Sequence, residues 1–241
     1  VSGPGFENVT FSAKKGEILA LTGLQGSGSS ELMQGLFGAL PVEAGELVIE
    51  GRRFTGRGIH QAMRAKVAML PSNRKENSVV PDMSILENMA LSEQTLSYAH
   101  QHISRRAEDA SYERMKKLLG IKAGRPSDGI TSLSGGNQQK IFLAKWLLTE
   151  GEILLLDNPT QGIDVGSKAE IYQLILRLAE AGKTILINTL EISEIQKVAD
   201  ECAVFYDGRL LAILPHEKID EQTVMMYSTN AVETMEGREH D

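Results

Sequence analysis

The chain contains 241 residues, 41 % of them hydrophobic, which is enough for one α/β domain with a sizeable core. Its 25 Lys and Arg residues against 32 Asp and Glu residues give a formal net charge of −7, which argues against binding to nucleic acid. Because Cys202 is the only cysteine, the chain cannot form an internal disulfide, and no Cys/His cluster indicates a metal site, so a cytosolic domain is expected. No apolar run reaches the roughly 20 residues that are needed to span a bilayer.

The first part of the chain reads as a strand, a glycine-rich loop and a helix. The apolar run from Gly16 to Gly23 predicts the strand, and the helix after the loop begins with serines that are suited to capping its N-terminus. Gly38 and Pro41 are expected to end that helix. Further along, an edge strand is predicted between Gly45 and Gly51, and another short strand from Lys66 to Pro71.

Helical spacing replaces the strand pattern between Ser84 and Leu148, which predicts a helical subdomain. Strand patterns then return and alternate with helical patterns, at Glu152 to Asp157, Lys183 to Leu190 and Cys202 to Gly208. Apolar strands that alternate with helices are typical of a parallel sheet covered on both faces. The stretch "DGRLLAIL" predicts a terminal hairpin, and the polar residues from Glu221 onward, which show no clear period, predict a partly ordered tail.

The loop from Gly23 to Ser30 matches the phosphate-binding pattern G-x-x-x-x-G-K-[ST] at every position except one. Its glycines let backbone N–H groups point at phosphate oxygens, and the helix N-terminus adds a partial positive charge. Ser29, however, takes the place of the lysine. Loss of that ammonium is expected to weaken nucleotide binding roughly tenfold to a hundredfold, because a hydrogen bond to a charged group contributes about 1.5–3 kcal/mol. Taken alone, the loop is equally compatible with a glycine-rich turn that binds no ligand.

A second motif, "LSGGNQQK" from Leu133 to Lys140, places a hydroxyl and two glycines at the N-terminus of another helix. It comes shortly before an apolar strand that ends in Asp157. In this order and spacing, the motifs resemble those of ATP-binding-cassette ATPases over nearly the whole chain. The resemblance implies an α/β fold: a P-loop NTPase core with a mainly parallel sheet flanked by helices, an antiparallel β edge and an inserted helical subdomain. The implied boundaries are residues 1–83 and 150–220 for the core, 84–149 for the helical subdomain that ends in the signature helix, and 221–241 for the polar tail.

The resemblance also assigns roles to individual residues. Asp164 corresponds to a residue at the interface between two cassettes, and Ser30 and Asp157 correspond to magnesium ligands. The full set of nucleotide-binding positions is Gly23, Gly26, Gly28, Ser29, Ser30 and Asp157.

The residues that the family uses for catalysis are replaced in this chain. Asn158 stands at the position of the glutamate that polarises the attacking water, Leu190 at that of a histidine and Ser72 at that of a glutamine. An amide cannot accept a proton as a carboxylate does, so the general-base role is vacant. We therefore predict no catalytic residue in this chain.

Family resemblance implies two cassettes that meet head to tail, with each ATP between the glycine loop of one and the signature of the other. In that arrangement this chain's own site is weak, but its signature completes the partner's site through Ser134, Gly135, Gly136, Asn137 and Gln138. The stretches "GLQGSGSSEL", "LSGGNQQK" and "DNPTQGIDVG" are similar to the second cassette of tandem-cassette carbohydrate importers. Because the chain begins at Val1 without a methionine, we expect it to be a piece of a longer polypeptide.

The expected function is the noncatalytic half of a sugar importer's ATPase, with ATP and Mg²⁺ weakly bound or absent at its own site. The expected partners are a second cassette, a membrane permease that contacts the region from Pro81 to Met89 and, indirectly, a solute-binding protein. The expected location is the cytoplasmic face of the membrane. Two alternatives stay open: slow ATP hydrolysis that borrows a cation such as Arg74 or Lys75, or an interaction module that uses no nucleotide.

Overall fold

The computed structural model describes residues 1–54, 58–72, 78–97 and 104–231. The strands are β1 (Ile18–Gly23), β2 (Leu47–Ile49), β3 (Arg52–Phe54), β4 (Val67–Leu70), β5 (Ile153–Asp157), β6 (Thr184–Asn188), β7 (Glu201–Tyr206) and β8 (Arg209–Pro215). Six of them form the central sheet in the order β4, β5, β6, β1, β7 and β8, whereas β2 and β3 form a separate antiparallel pair. Neighbours from β4 to β7 are parallel, and β8 is antiparallel to β7 at the edge, which confirms both the mainly parallel sheet and the terminal hairpin.

Helices connect the parallel strands and cover the sheet. Their bounds are α1 (Ser29–Phe37), α2 (Ile59–Arg64), α3 (Ile85–Ser97), α4 (Arg105–Leu119), α5 (Gly135–Leu147), α6 (Val165–Glu180), α7 (Ile192–Val198) and α8 (Glu221–Ser228). Two single-turn 3₁₀ helices, Ile130–Ser132 and His216–Lys218, complete the regular structure of the described residues. As predicted, Gly38 ends α1 with a positive φ of 78°.

Both faces of the sheet are buried, as β1 shows. Ile18 and Ala20 belong to one hydrophobic cluster, while Leu19 and Leu21 belong to the other. Side chains alternate between the two faces of a strand, so a run that is apolar at every position requires cover on both sides. Helices α1 and α2 cover one face, and α6 and α7 cover the other.

Helices α3, α4 and α5 lie within residues 84–149, where helical spacing was predicted. Ser104 caps α4 by accepting a hydrogen bond from the backbone N–H of Ala107, and Gly120 ends it in the left-handed conformation. Tyr112 of α4 and Phe142 of α5 are fully buried in the same cluster as the sheet residues. This segment therefore packs directly on the core, and its boundaries as a subdomain stay a prediction.

Three local expectations change in the structure. The prediction that serines cap α1 was wrong, because Gly28 precedes the helix and the hydroxyls of Ser29 and Ser30 are bonded elsewhere. The strand predicted between Gly45 and Gly51 pairs with β3, which the sequence analysis did not identify. The segment expected to be a tail begins with α8, because Asp220 caps that helix and Val224 is buried.

Candidate nucleotide-binding site and signature helix

The loop between β1 and α1 is packed tightly on one side and open on the other. Gly28 has a φ of 96°, and a Cβ there would lie 2.7 Å from Cα of Gly208 and closer still to the carbonyl oxygen of Gly5. Only glycine fits this backbone and this space. Gly26 also has a positive φ, 80°, but a Cβ there would meet no atom within 4 Å. The loop that starts at Gly23 thus leaves room for an anion at Gly26, beside a helix N-terminus.

Ser29, at the lysine position, points into the protein. Its hydroxyl donates a hydrogen bond to Oδ1 of Asn188 at 3.0 Å, and only 6 % of the residue is exposed. The Asn188 amide in turn donates to Oδ1 of Asp157 at 2.7 Å. The lysine is therefore replaced by two neutral polar side chains that bridge the glycine loop to Asp157.

Asn188 was missed by the sequence analysis, although a signal for it exists. It is the last residue of β6, and the parallel register places it directly opposite Asp157 at the end of β5. A polar residue that ends a buried strand of a parallel sheet lies at the edge where ligands bind. The amide of "LINTL" could have been read in this way.

Asp157 lies at the centre of the candidate site and is 1 % exposed. Its carboxylate accepts hydrogen bonds from Ser30 Oγ at 2.5 Å, from Asn188 Nδ2 at 2.7 Å and from Asn158 Nδ2 at 3.3 Å. These donors are all neutral. A hydroxyl and a carboxylate side by side are oxygen ligands that suit Mg²⁺, which is commonly held by one or two carboxylates together with phosphate oxygens. The pair Ser30 and Asp157 thus fits a magnesium ion, on condition that the hydrogen bond between them is displaced.

The three residues predicted to replace catalytic ones follow the ends of neighbouring strands: Asn158 after β5, Leu190 after β6 and Ser72 after β4. Asn158 has a φ of 47°, a left-handed conformation that asparagine tolerates, and its backbone N–H donates to the carbonyl of Asn188 at 2.8 Å. Its side chain is turned towards Asp157. Leu190 is 53 % exposed after β6, and Ser72 is half-buried after β4. Arg74 and Lys75, the cations considered for slow hydrolysis, lie outside the described residues.

The signature residues form a second hydrogen-bonded group at the N-terminus of α5. Ser134 is exposed and caps the helix by accepting from the backbone N–H of Asn137 at 3.4 Å. The Asn137 side chain donates to Ser134 Oγ at 2.9 Å and accepts from the backbone N–H of Lys122 at 2.7 Å. Gln138 donates to the carbonyl of Leu133 at 3.0 Å. Gly135 and Gly136 are the first two residues of the helix, so its N-terminus is held in place while Ser134 faces the surface.

Asp164, predicted at an interface between cassettes, caps α6. It accepts a hydrogen bond from the backbone N–H of Ser167 at 3.0 Å. Hydrogen bonds from the side chain and backbone of Ser167 hold the pKa of this exposed carboxyl below its ordinary value. Asp164 is therefore a charged residue at a helix N-terminus, where a negative charge is stabilised.

A buried polar network, also missed by the sequence analysis, braces the loop between Asp157 and Asp164. Thr160 donates to Glu194 at 3.1 Å, and the hydroxyl of Tyr172 donates to the same carboxylate oxygen. Lys168 donates to the other oxygen of Glu194 at 2.9 Å. The loop after β5 is thus tied to α7, which follows Leu190.

The described residues contain neither a group of metal ligands nor a helix that could span a membrane. Within those residues, His, Cys, Asp and Glu side chains form no group of three or more that is able to hold a metal ion. In the same part of the chain, every helix is too short or too polar to cross a membrane.

Comparison with known proteins assigns the family. The model of a family described as ABC transporter matches residues 6–161, more than half of the chain. This chain belongs to the ABC transporter family. Its relatives include the ribose import ATP-binding protein RbsA of Halalkalibacterium halodurans, which is 40 % identical over 224 residues. That match covers 93 % of this chain and 45 % of the relative, and the match to RbsA of Geobacillus kaustophilus, at 39 % identity, has the same coverage. The chain spans about half the length of the curated relatives it matches.

Solved structures show that the ABC transporter chain has the expected fold. A nucleotide-free ATP-binding cassette from an ABC transporter aligns with a TM-score of 0.80 at 20 % identity, covering 92 % of both chains. A dimeric cassette in a post-hydrolysis state, bound to ADP and Pi, aligns with a TM-score of 0.76 at 22 % identity, over 88 % of this chain and 90 % of that one. The predicted P-loop NTPase core with a mainly parallel sheet is confirmed. The assignment to a second cassette stays a prediction.

Proposed function

We propose that this chain is the nucleotide-binding domain of an ATP-driven sugar importer, and specifically its second, catalytically degenerate cassette. The relatives named for ribose import support the transport class, and ribose is the sugar to test first. Because the chain matches less than half of each relative's length, a second cassette in the same polypeptide is part of the proposal.

One observation carries the assignment of roles: Ser29 is bonded to Asn188 where the phosphate-contacting lysine would be. The chain's own site therefore lacks a cation at that position, and Asn158 and Leu190 occupy two positions of the hydrolytic machinery. In contrast, Ser134 and the glycines after it form a complete, capped helix N-terminus. The chain is thus equipped to contribute a signature and poorly equipped to hydrolyse ATP.

The residues of this chain have defined tasks in the proposal. ATP with Mg²⁺, when bound, supplies a phosphoanhydride bond whose hydrolysis drives transport. At the chain's own site, the backbone of the glycine loop holds phosphate oxygens, and Ser30 with Asp157 holds magnesium. At the partner's site, the hydroxyl of Ser134 and the N-terminus of α5 present hydrogen-bond donors to phosphate oxygens, where positive potential stabilises developing negative charge.

The remaining partners follow from the transport class. A membrane permease binds the region from Pro81 to Met89, which includes the first turn of α3, and a solute-binding protein delivers the sugar to that permease. Asn88 supports this surface, because its buried side chain binds the backbone of Val80, Met83 and Ser84. The chain then works at the cytoplasmic face of the membrane, held there by the permease.

Hydrolysis measurements with and without a competent cassette test the proposal. A competent cassette is one that carries the lysine, glutamate and histidine this chain lacks. We expect little hydrolysis by the chain alone, a clear stimulation of the competent cassette, and loss of about a hundredfold of that stimulation in Ser134→Ala, the usual scale for removing one such donor. Ser132→Ala, a nearby exposed serine, is the matched control and should leave the stimulation intact.

Two results would contradict this function. Rapid hydrolysis by the purified chain alone would show that its own site is catalytic. Absence of stimulation by the wild-type chain would remove the role of the signature. Calorimetry with ATP and magnesium distinguishes a weak nucleotide site from the absence of a site. An interaction module that binds no nucleotide would give no heat of binding and no competition between nucleotides.

A further inference from the structure

The signature helix α5 and helix α6 contact each other through two pairs of residues on facing sides. Gly136 of α5 lies against Ser167 of α6, and Lys140 of α5 is paired with Glu170 of α6. Gly136 and Lys140 are four residues apart, and Ser167 and Glu170 are three apart, so each pair of residues shares one face of its helix. The two helices are thus joined along about one turn, beginning at the signature itself.

The first contact leaves no room for a side chain at Gly136. A Cβ at this position would lie 2.5 Å from Cβ of Ser167 and closer still to its Oγ. Real Cβ atoms do not approach so closely, and Ser167 Cβ is fixed to the backbone of α6, so any larger residue must push the two helices apart. Gly136 is therefore required by packing within this chain, whatever else it contacts.

The second contact, between Lys140 and Glu170, joins the same faces of α5 and α6. The Lys140 side chain is 7 % exposed, and its ammonium donates to Oε2 of Glu170 at 2.7 Å and to the carbonyl of Gly120 at 3.1 Å. This one cation joins the end of α4, the signature helix and α6. The pairing also holds the pKa of the Glu170 carboxyl below its ordinary value.

The contact with α6 connects the signature to Asp164. Ser167 lies in the first turn of α6, and its backbone N–H donates a hydrogen bond to the carboxylate of Asp164. Gly136 and Asp164 are therefore linked through a single residue, Ser167. The signature and Asp164, which the proposed function places in contact with a partner cassette, are thus held at a fixed spacing.

We propose that Gly136 is a positioning residue, which sets the spacing between the signature and Asp164 through its contact with Ser167, and that Lys140 and Glu170 maintain this spacing. The inference rests on the proposed function, because it concerns the same signature surface. It adds a specific cause for the glycine: close approach to α6 of its own chain. A shift of about 1 Å in a positioning group can cost a hundredfold in rate, so even a small separation of α5 from α6 has a measurable effect.

The test uses this chain together with the competent cassette and measures kcat and KM for ATP hydrolysis by that cassette. Gly136→Ala is expected to lower kcat by about tenfold to a hundredfold with a smaller change in KM. Ser167→Gly alone removes the side-chain contact but keeps the backbone N–H that donates to Asp164, so it is expected to lower kcat less than Gly136→Ala does. The double variant Gly136→Ala with Ser167→Gly removes the opposing Cβ and is expected to recover most of kcat. The matched control is Gly136→Ala with Ser167→Ala, which removes only the hydroxyl and leaves the clash between Cβ atoms, so it should stay impaired.

The outcomes separate this inference from the proposed function. If the wild-type chain does not stimulate the competent cassette, the proposed function fails. If it does stimulate, but Ser167→Gly gives no recovery in the Gly136→Ala background, the glycine is needed for another reason and the inference is overturned. A loss that follows misfolding of Gly136→Ala is recognised by thermal unfolding. In that case Glu170→Gln, at a half-exposed site, serves instead: a fall in kcat supports the inference, and an unchanged kcat overturns it.

Discussion

The hydroxyl of Ser29 donates a hydrogen bond to Oδ1 of Asn188 at 3.0 Å, although 159 positions separate the two residues in the chain. The side-chain amide of Asn188 in turn donates a hydrogen bond to Oδ1 of Asp157 at 2.7 Å. The glycine loop, the end of β6 and the end of β5 are thus joined without a charged donor.

Restoring the lysine alone should improve binding without producing turnover. Ser29→Lys supplies an ammonium to phosphate oxygens, which is expected to tighten nucleotide binding roughly tenfold to a hundredfold. Under the proposed function hydrolysis should stay low, because Asn158 and Leu190 would leave the attacking water without a base or a positioning group. Calorimetry with ATP and magnesium measures the first effect, and phosphate release measures the second.

A variant of similar length but without charge separates electrostatics from shape at this position. Ser29→Met breaks the same hydrogen bond to Asn188 but adds no cation, so its affinity should not rise. Turnover in Ser29→Lys by itself would show that the replaced positions are not needed for hydrolysis.

Removing the bridge should destabilise the fold. Asn188→Ala removes the acceptor of the buried Ser29 hydroxyl and the shorter of two hydrogen bonds to Oδ1 of Asp157, leaving contacts of 3.5 Å to Ser27 Oγ and 3.3 Å to Asn158 Nδ2. This loss is expected to lower the free energy of unfolding by about 1–3 kcal/mol. Urea denaturation measures this change. Gln173→Ala, an exposed amide on α6, is the matched control and should change stability by less than about 0.5 kcal/mol. An equal effect of the two substitutions would contradict a bridging role for Asn188.

The carboxylate of Glu194 should make stability depend on acidic pH. Burial by itself would raise the pKa of this carboxyl, but hydrogen bonds from Tyr172 and Lys168 outweigh burial and hold the pKa below its ordinary value. A carboxyl whose pKa is lower in the folded state stabilises the protein above its unfolded pKa of about 4.3, and this contribution disappears as pH falls through the lower folded value.

Glu194→Gln should therefore be less stable than the wild type at pH 7, and the difference should shrink on acidification below about pH 4.3. Urea denaturation at a series of pH values measures this trend. Glu180→Gln, an exposed carboxyl at the end of α6, should show no comparable trend. A difference that stayed constant down to acid pH would show that Glu194 is not stabilised as a carboxylate.

Lys145 of α5 should make stability rise with pH in the alkaline range. Burial lowers the pKa of its ammonium to about 8, and the group donates to the carbonyl of Ser78 at 3.2 Å. Below pH 8 the folded and unfolded states both carry the proton, so the cost of burying the charge is present in full. As pH rises from about 8 towards the unfolded value of about 10.4, the folded state loses its proton first and stability increases.

Lys145→Met removes this titration, so the wild type should gain stability relative to the variant between about pH 8 and pH 10. Chemical denaturation across that range is the measurement. Lys197→Met, an exposed lysine on α7, is the control and should run parallel to the wild type. If the stability of Lys145→Met also changed with pH in parallel with that of the wild type, the ammonium would be solvated in the folded protein.

The sequence by itself determined the motifs and most of the elements, because both depend on short-range spacing. Apolar runs such as the one in β5 require burial on both faces and so predict a covered parallel sheet, and the glycines before α1 predict a loop that is able to hold an anion. The serine at the head of α5 was identified for the same reason, since a cap acts on residues only three positions away.

Only the tertiary structure decided which polar groups meet. The order of the sheet places β5, β6 and β1 side by side, and this alone brings Asn188 between Ser29 and Asp157. The packing of α5 on α6 likewise sets Gly136 against Ser167. Such pairs are formed by strand order and helix packing, which involve residues far apart in the chain, whereas local spacing constrains only neighbours. The sequence therefore identified the lost lysine, and the structure showed which side chains stand in its place.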